Sequence, residues 1–269
     1  MFLKTVDATL LVTACGPGPR TIVAHGGFIG SGELWAEPFA ALSRTWRTVT
    51  YDHRGSGVTR HSGRITGAQL MADLDRVLEA TGGARPVLAG ESMGAKIVLA
   101  SALRSPERFS GMVIVDGAWM RGPRPGPAQS LIAGCRSDYR TTIDAFIDAC
   151  VVEPDGEDAR RWGRQIAYRS NGEAAAQLLE AADEIEFSST DLRRLTLPVL
   201  VIHGSHDGIV PVAAAERLCS HLPNAELKII AGAGHVPTIT RAAEVAQAIE
   251  TFFGSLSSGA SATLGQALD

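Results

Sequence analysis

Ser92 lies in a pattern that can supply a nucleophile. It is the centre of the pentapeptide GESMG at 90–94, a G-x-S-x-G motif. An apolar run at 86–89 precedes the motif and an apolar stretch at 95–103 follows it, which predicts a strand, a sharp turn and a helix. In such a turn the small residues two positions either side let the strand and helix cross closely, and the serine hydroxyl is held above the sheet edge. The context therefore predicts that Ser92 is a nucleophile rather than an ordinary N-cap serine.

A serine hydroxyl is a weak nucleophile, so a general base must accept its proton. The chain has seven histidines, and His235 lies in the glycine-rich sequence AGAGH at 231–235, directly after the last predicted strand. The other six fall in turns, at another strand end or in polar stretches: His25, His53, His61, His203, His206 and His221. His235 is therefore the predicted base.

A base of this kind needs a carboxylate to orient its ring and stabilise the imidazolium. Asp207 follows the predicted strand at 197–202 and precedes His235 by enough residues for one helix and one strand. The resulting chain order of Ser, Asp and His is that of α/β hydrolases rather than of the two protease arrangements. Asp116 is a rival, because it ends the predicted strand at 111–115 and would lie at the same sheet edge. Asp207 is the preferred candidate.

The tetrahedral intermediate of acyl transfer also needs an oxyanion hole of two N–H donors. The residue after the nucleophile, Met93, should provide one backbone N–H. The loop HGGF at 25–28, after the first strand of the predicted core, should provide the other, because glycines allow a close backbone approach. Gly27 is the preferred donor and Phe28 the alternative.

Alternating strands and helices must position these residues. Six apolar strands are predicted at 21–24, 47–51, 86–89, 111–115, 197–202 and 226–230. Helices are predicted at 34–42, 69–80, 95–103, 212–222 and 241–253. Strands that alternate with helices imply a mostly parallel sheet with helices on both faces, which is an α/β fold.

The alternation is interrupted between 119 and 194, where no strand pattern occurs and helical periodicity prevails. We therefore expect a first part of the core at 1–118, an inserted helical lid at 119–194, a second part at 195–253 and a flexible tail at 254–269. The lid should form one wall of the pocket. Its large side chains available for substrate contact are Trp119, Met120, Tyr139, Phe146, Trp162 and Tyr168.

Composition excludes several classes of protein. The chain of 269 residues has a net charge of −4, which disfavours nucleic-acid binding. No apolar run reaches the length of a membrane span, and the N-terminus does not resemble a signal peptide. Four cysteines without a CxxC pair are typical of the reducing cytoplasm. No ligand spacing suggests a metal, and no G-x-G-x-x-G suggests a dinucleotide, so neither cofactor is expected.

Taken together, the motifs HGG at 25–27, YDHRGSG at 51–57, GESMG at 90–94, HGSHDGIVP at 203–211 and GAGH at 232–235 resemble the α/β-hydrolase-fold superfamily from about residue 20 to 253. The chain is similar to esterases and lactonases such as 3-oxoadipate enol-lactonases. Glu91 departs from the apolar residue or histidine usual before the nucleophile. An acid there could shape the pocket or disfavour anionic substrates.

The resemblance implies hydrolysis of a carboxylic ester or lactone of a small molecule by a monomer or homodimer. Thioester hydrolysis would use the same groups, and hydroxynitrile cleavage would need an additional cation in the lid. A ligand receptor with a slow, vestigial triad is the alternative outside enzymes.

Overall fold

The computed structural model describes residues 1–81, 83–117, 119 and 126–265, without the side chains of 126–128 and 257–265. A nine-stranded sheet runs through the described part. Its strands are β1 (Phe2–Lys4), β2 (Ala8–Cys15), β3 (Arg20–His25), β4 (Trp46–Tyr51), β5 (Arg60–His61), β6 (Val87–Glu91), β7 (Gly111–Val115), β8 (Val199–Gly204) and β9 (Ala225–Ile230). The order is β1-β2-β4-β3-β6-β7-β8-β9, with β5 paired to β2. The six predicted strands are confirmed, and β4, β3, β6, β7, β8 and β9 run parallel to one another.

Three strands at one edge were not predicted from the sequence. β2 pairs antiparallel with β1, β4 and β5. Only alternate residues of its first half, Ala8, Leu10 and Val12, are buried. This period of two is typical of a strand with one solvent-exposed face, whereas a buried parallel strand is a continuous apolar run. The sequence analysis relied on continuous runs and therefore missed this edge.

Helices cover both faces of the sheet, as predicted. They are α1 (Ala36–Leu42), α2 (Gly67–Thr81), α3 (Met93–Arg104), α4 (Gly126–Ser137), α5 (Tyr139–Cys150), α6 (Glu157–Ala167), α7 (Gly172–Glu184), α8 (Ser189–Arg194), α9 (Val212–His221), α10 (Pro237–Thr240) and α11 (Ala242–Gly265). Along β3, Ile22 and Ala24 pack in the apolar cluster with α1 and α11, while Val23 packs with α2 and α3. The alternation gives the α/β-hydrolase fold one core on each face of the sheet.

The predicted helix at 34–42 is divided in the structure. Gly32–Trp35 forms a 3-10 turn, and α1 begins only at Ala36. Pro38 is the third residue of α1, where a missing N–H removes no intrahelical hydrogen bond. The proline therefore fits the first turn of the shorter helix.

Helices α4 to α8 occupy the chain between β7 and β8, where the inserted lid is expected. α4 packs on α5 and α7, α5 packs on α6, and α7 also contacts α2 and α3. The start of the expected lid lies partly outside the described residues, since 120–125 are not among them. At the other end, α11 continues to Gly265, while 266–269 lie outside them, so a flexible tail stays a prediction. Among the described helices, none has the length and apolarity that crossing a bilayer requires.

Candidate active site

Ser92 lies in a strained turn between β6 and α3. Its φ of 50° and ψ of −117° place a non-glycine residue at positive φ. The Ser92 N–H donates to the carbonyl of Val115 on the neighbouring strand at 2.9 Å. A Cβ at Gly90 would lie 2.5 Å from the Val98 side chain, and one at Gly94 would lie 2.5 Å from the carbonyl oxygen of Gly26. The two glycines therefore permit the close crossing that the turn requires.

His235 joins the hydroxyl of Ser92 to a carboxylate. Its Nε2 lies 2.9 Å from Ser92 Oγ, and its Nδ1 lies 2.7 Å from Asp207 Oδ2. When Nδ1–H donates to the carboxylate, the neutral ring leaves Nε2 free to accept the serine proton. The structure thus brings together the three residues that the sequence analysis proposed as nucleophile, base and acid, in a continuous hydrogen-bonded line.

The Asp207 carboxylate is buried, but it accepts several hydrogen bonds from the protein around it. Its Oδ1 accepts the backbone N–H groups of Ile209 at 2.8 Å and Val210 at 2.9 Å. Burial by itself would raise the pKa of Asp207, but the contacts with His203 and His235 and the backbone donors hold that pKa well below its usual value. The carboxylate is therefore ionised at neutral pH, as a partner for an imidazolium must be.

Asp116, the rival acid, lies behind this line and contacts a different histidine. Its Oδ1 accepts the N–H of Gly204 at 2.8 Å and is 3.5 Å from His203 Nδ1. Burial and the nearby charge of Asp207 raise the pKa of Asp116 well above its ordinary value. His203 in turn places its Nε2 3.3 Å from Asp207 Oδ2. Asp116 thus contacts His203 and lies one residue removed from the hydrogen bond between Asp207 and His235.

Asp116, Asp207 and His235 also form the one grouping among the described residues whose ligand atoms lie close enough for a metal, within 4.8 Å of one another. The Nδ1 of His235 and both oxygens of Asp207 already have hydrogen-bond partners. A zinc site is held by at least three protein ligands whose donor atoms are free to face the ion. The grouping is explained by the Ser92–His235–Asp207 line.

The two predicted oxyanion donors lie on either side of Ser92. Met93 is the first residue of α3, so its N–H has no acceptor within the helix. Gly27 lies against the nucleophile, because a Cβ built there would be 3.3 Å from the Cβ of Ser92. Phe28, the alternative donor, follows it and lines the same cavity. Gly27 and Phe28 therefore both lie near Ser92.

Two buried histidines fix the peptides of that loop, and the sequence analysis missed this role. Nδ1 of His25 lies 2.7 Å from the carbonyl oxygen of Gly26, and Nε2 of His53 lies 3.1 Å from that of Gly27. Because a trans peptide points its N–H opposite its C=O, these contacts orient the N–H groups of Gly27 and Phe28.

The rings of His25 and His53 stack with centroids 4.8 Å apart. Burial lowers the pKa of His25 to about 3 and also lowers that of His53, so both rings are neutral. The signal was present in the sequence, since each histidine follows a strand and β3 and β4 are neighbours whose carboxyl ends meet at one edge.

A small apolar cavity of about 50 Å³ opens beside Ser92 and His235. That volume would hold about four water molecules. The cavity is lined by Gly27, Phe28, Ile29, Gly30, Leu34, Glu91, Ser92, Phe146, Ile147, Cys150, Val151, Ala159, Gly163, Ile166, Ala167, His235, Val236 and Ile239. This set includes no lysine, arginine or aspartate. The inserted segment supplies the wall from Phe146 to Ala167.

Of the large side chains that the sequence offered for substrate contact, Phe146 lines the cavity and packs edge-on against Phe28. Trp119 is buried and donates to the carbonyl of Ala214. Tyr139 donates to the carbonyl of Ala167, and Tyr168 bonds Asp144. Trp162 is exposed, and Met120 lies outside the described residues. Hydrogen bonds within the lid thus account for Tyr139 and Tyr168, and a hydrogen bond to the core helix α9 accounts for Trp119.

Glu91 places an uncharged carboxyl group at the cavity. It is 1% exposed, its Oε1 accepts from Thr238 Oγ1 at 2.9 Å, and its Oε2 has no hydrogen-bond partner among the described residues. Burial raises the pKa of Glu91 to about 8. At neutral pH the group is therefore a protonated acid, which favours the pocket-shaping role over repulsion of anions.

Comparison with known proteins finds relatives among hydrolases. A family model described as serine aminopeptidase, S33 (Hydrolase_4) matches residues 19–239. The chain is 30% identical over 264 residues to a putative carbamate hydrolase RutD of Caulobacter vibrioides, covering 94% of this chain and 97% of that protein. It is 26% identical to a pimeloyl-(acyl-carrier protein) methyl ester esterase of Nitrosomonas europaea, covering 87% of this chain and 95% of the relative.

Among solved structures, the enol-lactonase from Burkholderia xenovorans LB400 superposes with a TM-score of 0.86 at 22% identity, covering 94% of this chain and all of that one. An esterase from Exiguobacterium antarcticum superposes with a TM-score of 0.85 at 18% identity, covering 94% and 98%. At these identities the structural matches support the fold.

Proposed function

The chain belongs to the Hydrolase_4 family (serine aminopeptidase, S33) and is an α/β-hydrolase-fold enzyme, and on that premise we propose that it hydrolyses small, neutral carboxylic esters or lactones through an acyl-enzyme on Ser92. The observation that supports the proposal is the line of hydrogen bonds from Ser92 Oγ through His235 to Asp207. A nucleophile, a base and an orienting acid that are joined by hydrogen bonds recur in enzymes that catalyse acyl transfer.

In the proposed reaction Ser92 Oγ attacks the substrate carbonyl while His235 Nε2 accepts its proton. Asp207 keeps the proton on Nδ1 and stabilises the imidazolium. The N–H groups of Gly27 and Met93 hold the oxyanion, with Phe28 as the alternative to Gly27. His235 then protonates the leaving alkoxide and activates the water that releases the acid.

The lining of the cavity supports a neutral, apolar acyl group. The described lining residues offer no cationic side chain to a carboxylate, and Glu91 is uncharged at neutral pH. Burial of an unpaired substrate carboxylate among apolar side chains would be strongly unfavourable. The absence of a cation in this lining also leaves the hydroxynitrile reaction without support.

Carbamate hydrolysis is the second candidate, and the 30% identity to a putative carbamate hydrolase favours it. The attacked group is again a carbonyl, so the same nucleophile, base and donors would serve. An enzyme for carbamates differs from an esterase in the product released, because the acyl part then carries nitrogen. Parallel assays of matched methyl esters and methyl carbamates by product analysis would separate the two.

Labelling with a fluorophosphonate tests the proposal without knowledge of the substrate. We expect one adduct on Ser92 in intact mass and peptide mapping, absent in Ser92→Ala and lost in His235→Ala. Both variants should remain folded in urea unfolding, because neither Ser92 nor His235 belongs to the apolar clusters of the core. No adduct on folded wild type would contradict the acyl-enzyme proposal and would favour the ligand-receptor alternative.

The cytoplasmic location and the monomeric or dimeric state belong to the same proposal. All four cysteines are free of disulfides, which supports a reducing compartment. Sedimentation equilibrium would determine the number of chains in the particle.

A further inference from the structure

The loop that bears His235 is held by the inserted segment. Two successive N–H groups of this loop donate to residues at the end of α5. Gly234 N–H donates to Glu153 Oε1 at 3.0 Å, and His235 N–H donates to the carbonyl of Cys150 at 2.8 Å. Cys150 is the last residue of α5, and Glu153 lies in the turn that follows. The backbone position of the base therefore depends on a segment outside the sheet.

The contact is close enough to require glycine. A Cβ at Gly234 would lie 2.4 Å from the carbonyl oxygen of Cys150 and 3.2 Å from Glu153 Oε2. Real Cβ atoms do not approach backbone oxygens at such distances, so the two chain segments could not meet in this way around a larger residue. The absence of a side chain at 234 is thus part of how the loop and the segment fit together.

Glu153 is itself held firmly in place. Its residue is 2% exposed, so its carboxylate is shielded from water. The turn around it is stabilised by Arg160, whose Nη1 donates to the carbonyl of Val151 at 2.9 Å and contacts that of Glu153 at 3.4 Å. The N–H of Gly156 also donates to the Glu153 carbonyl at 3.0 Å. The carboxylate is thereby presented to the loop on a braced turn.

We infer that Glu153 is a positioning residue for His235, and that its carboxylate, with the Cys150 carbonyl, couples the position of the inserted segment to the position of the base. The inference rests on the proposed function of Ser92 and His235. Breaking a buried hydrogen bond leaves its donor unsatisfied, which is costly, so the bond to Gly234 suits a role in holding a loop.

The coupling has a consequence for substrate entry. The same helix α5 supplies Phe146 and Ile147 to the cavity wall, and the cavity has a volume of only about 50 Å³. A movement of α5 that admits a larger acyl group would also displace the acceptors of the Gly234 and His235 N–H groups. The base would then reach its productive position only when α5 returns over the bound substrate.

Glu153 should affect turnover rather than substrate binding. It is absent from the residues that line the cavity, so its removal leaves the lining unchanged. A small displacement of the base, by contrast, lowers the rate of proton transfer, because catalysis depends on near-attack geometry. Loss of one such contact is therefore expected to lower kcat while KM stays within about twofold.

The test compares Glu153→Ala and Glu153→Gln with Asp158→Ala as the control, since the Asp158 side chain lies in the same segment, is 88% exposed and pairs with Arg161 rather than with Arg160. With p-nitrophenyl acetate as substrate we expect kcat to fall about tenfold or more in Glu153→Ala and to stay within about threefold of wild type in Glu153→Gln, whose amide oxygen still accepts from Gly234. Asp158→Ala should equal wild type. Glu153→Leu, which preserves volume, replaces the alanine variant if that variant unfolds early.

Amide exchange gives a second readout that is independent of activity. In Glu153→Ala the amides of Gly234 and His235 should lose protection, while the amide of Ser92, bonded to Val115, keeps it. Unchanged kcat and unchanged protection in Glu153→Ala would overturn the inference, as would an equal loss of kcat in Glu153→Gln. If wild-type Ser92 is not labelled by fluorophosphonate, the proposed function fails, and exchange at 234 and 235 still decides whether Glu153 holds the loop.

Discussion

Ser92 and His235 meet in one hydrogen bond but are held by different parts of the molecule. We call β6, Ser92 and α3 the nucleophile side; there the serine N–H bonds Val115 on the adjacent strand and glycines allow strand and helix to cross. We call the loops at 205–210 and 231–236, with the adjoining helix α10 and the turn at 150–153, the base side. There His235 is held by Cys150, while Glu153 binds the neighbouring Gly234.

The difference lies in which part of the fold positions each catalytic group. Packing of the sheet positions the nucleophile, and that packing is shared by the whole core. The inserted segment both covers the cavity and holds the base, so changes in that segment can alter access and proton transfer together. Fold alone therefore leaves the reaction open, since the site depends on what is inserted.

The largest expected effect separates the base side from the sheet core behind it. Asp207→Asn should lower kcat by about a thousandfold or more, because the amide can favour the wrong tautomer of His235. Asp116→Asn should cost less than about tenfold, since His235 bonds Asp207 rather than Asp116 and an amide oxygen can still accept from Gly204. Steady-state hydrolysis of one ester by both variants measures this.

Asparagine also tolerates the positive φ of 46° at position 116, so the control is matched in backbone as well as in volume. A greater loss of kcat in Asp116→Asn than in Asp207→Asn would move the acid to the end of β7. The base would then depend on the sheet core, and the contrast between the two sides would disappear.

A pair of glycine substitutions compares the two sides directly. In Gly94→Ala the new Cβ would lie 2.5 Å from the Gly26 carbonyl oxygen, inside the core, so we expect the free energy of unfolding to fall by about 2 kcal/mol. In Gly234→Ala the clash is with Cys150 on the inserted segment, which can shift outward. There kcat should fall about tenfold with a smaller loss of stability.

Urea unfolding and kcat measured on the same preparations distinguish these outcomes. Gly254→Ala, where a new Cβ would meet no atom within 4 Å, is the control for substitution itself. If Gly234→Ala destabilises the protein as much as Gly94→Ala does, the base side is as rigidly packed as the nucleophile side.

The smallest expected effect concerns Glu91, which ends the nucleophile strand and bonds Thr238 on the base side. Its pKa is raised by burial to about 8, whereas in the unfolded chain the carboxyl ionises near its ordinary value. Between these values the unfolded state binds fewer protons, so stability falls as pH rises and levels off above about pH 8. Glu91→Gln removes this dependence.

From pH 6.5 to 7.5 the stability of Glu91→Gln relative to wild type should therefore rise by about 1 kcal/mol. Urea unfolding of both proteins at the two pH values measures it, and other titrating groups cancel in the difference. A relative stability that does not change with pH would show that Glu91 is already ionised and that the Glu91–Thr238 contact joins the two sides through a charge.

Much of the site followed from local sequence patterns. GESMG between an apolar run and an apolar helix identified Ser92, because the strand, the turn and the helix are each specified by adjacent residues. The placement of Asp207 and His235 after strands was equally local. The N-terminal antiparallel edge was missed because β2 shows its burial only at alternate positions. Glu153 was missed because nothing around it in the sequence distinguishes it from the other acids of the insertion.

The sequence by itself determined the order of strands and helices and the residue types at each strand end, because hydrophobic periodicity and turn chemistry act over a few residues. Only the tertiary structure decided that Asp207 rather than Asp116 contacts His235, that His25 and His53 orient the loop beside Ser92, and that Glu153 binds Gly234. The last of these joins residues 81 positions apart, and the bond from His235 to Ser92 joins residues 143 apart. Such pairs depend on how whole elements pack, which no local pattern specifies.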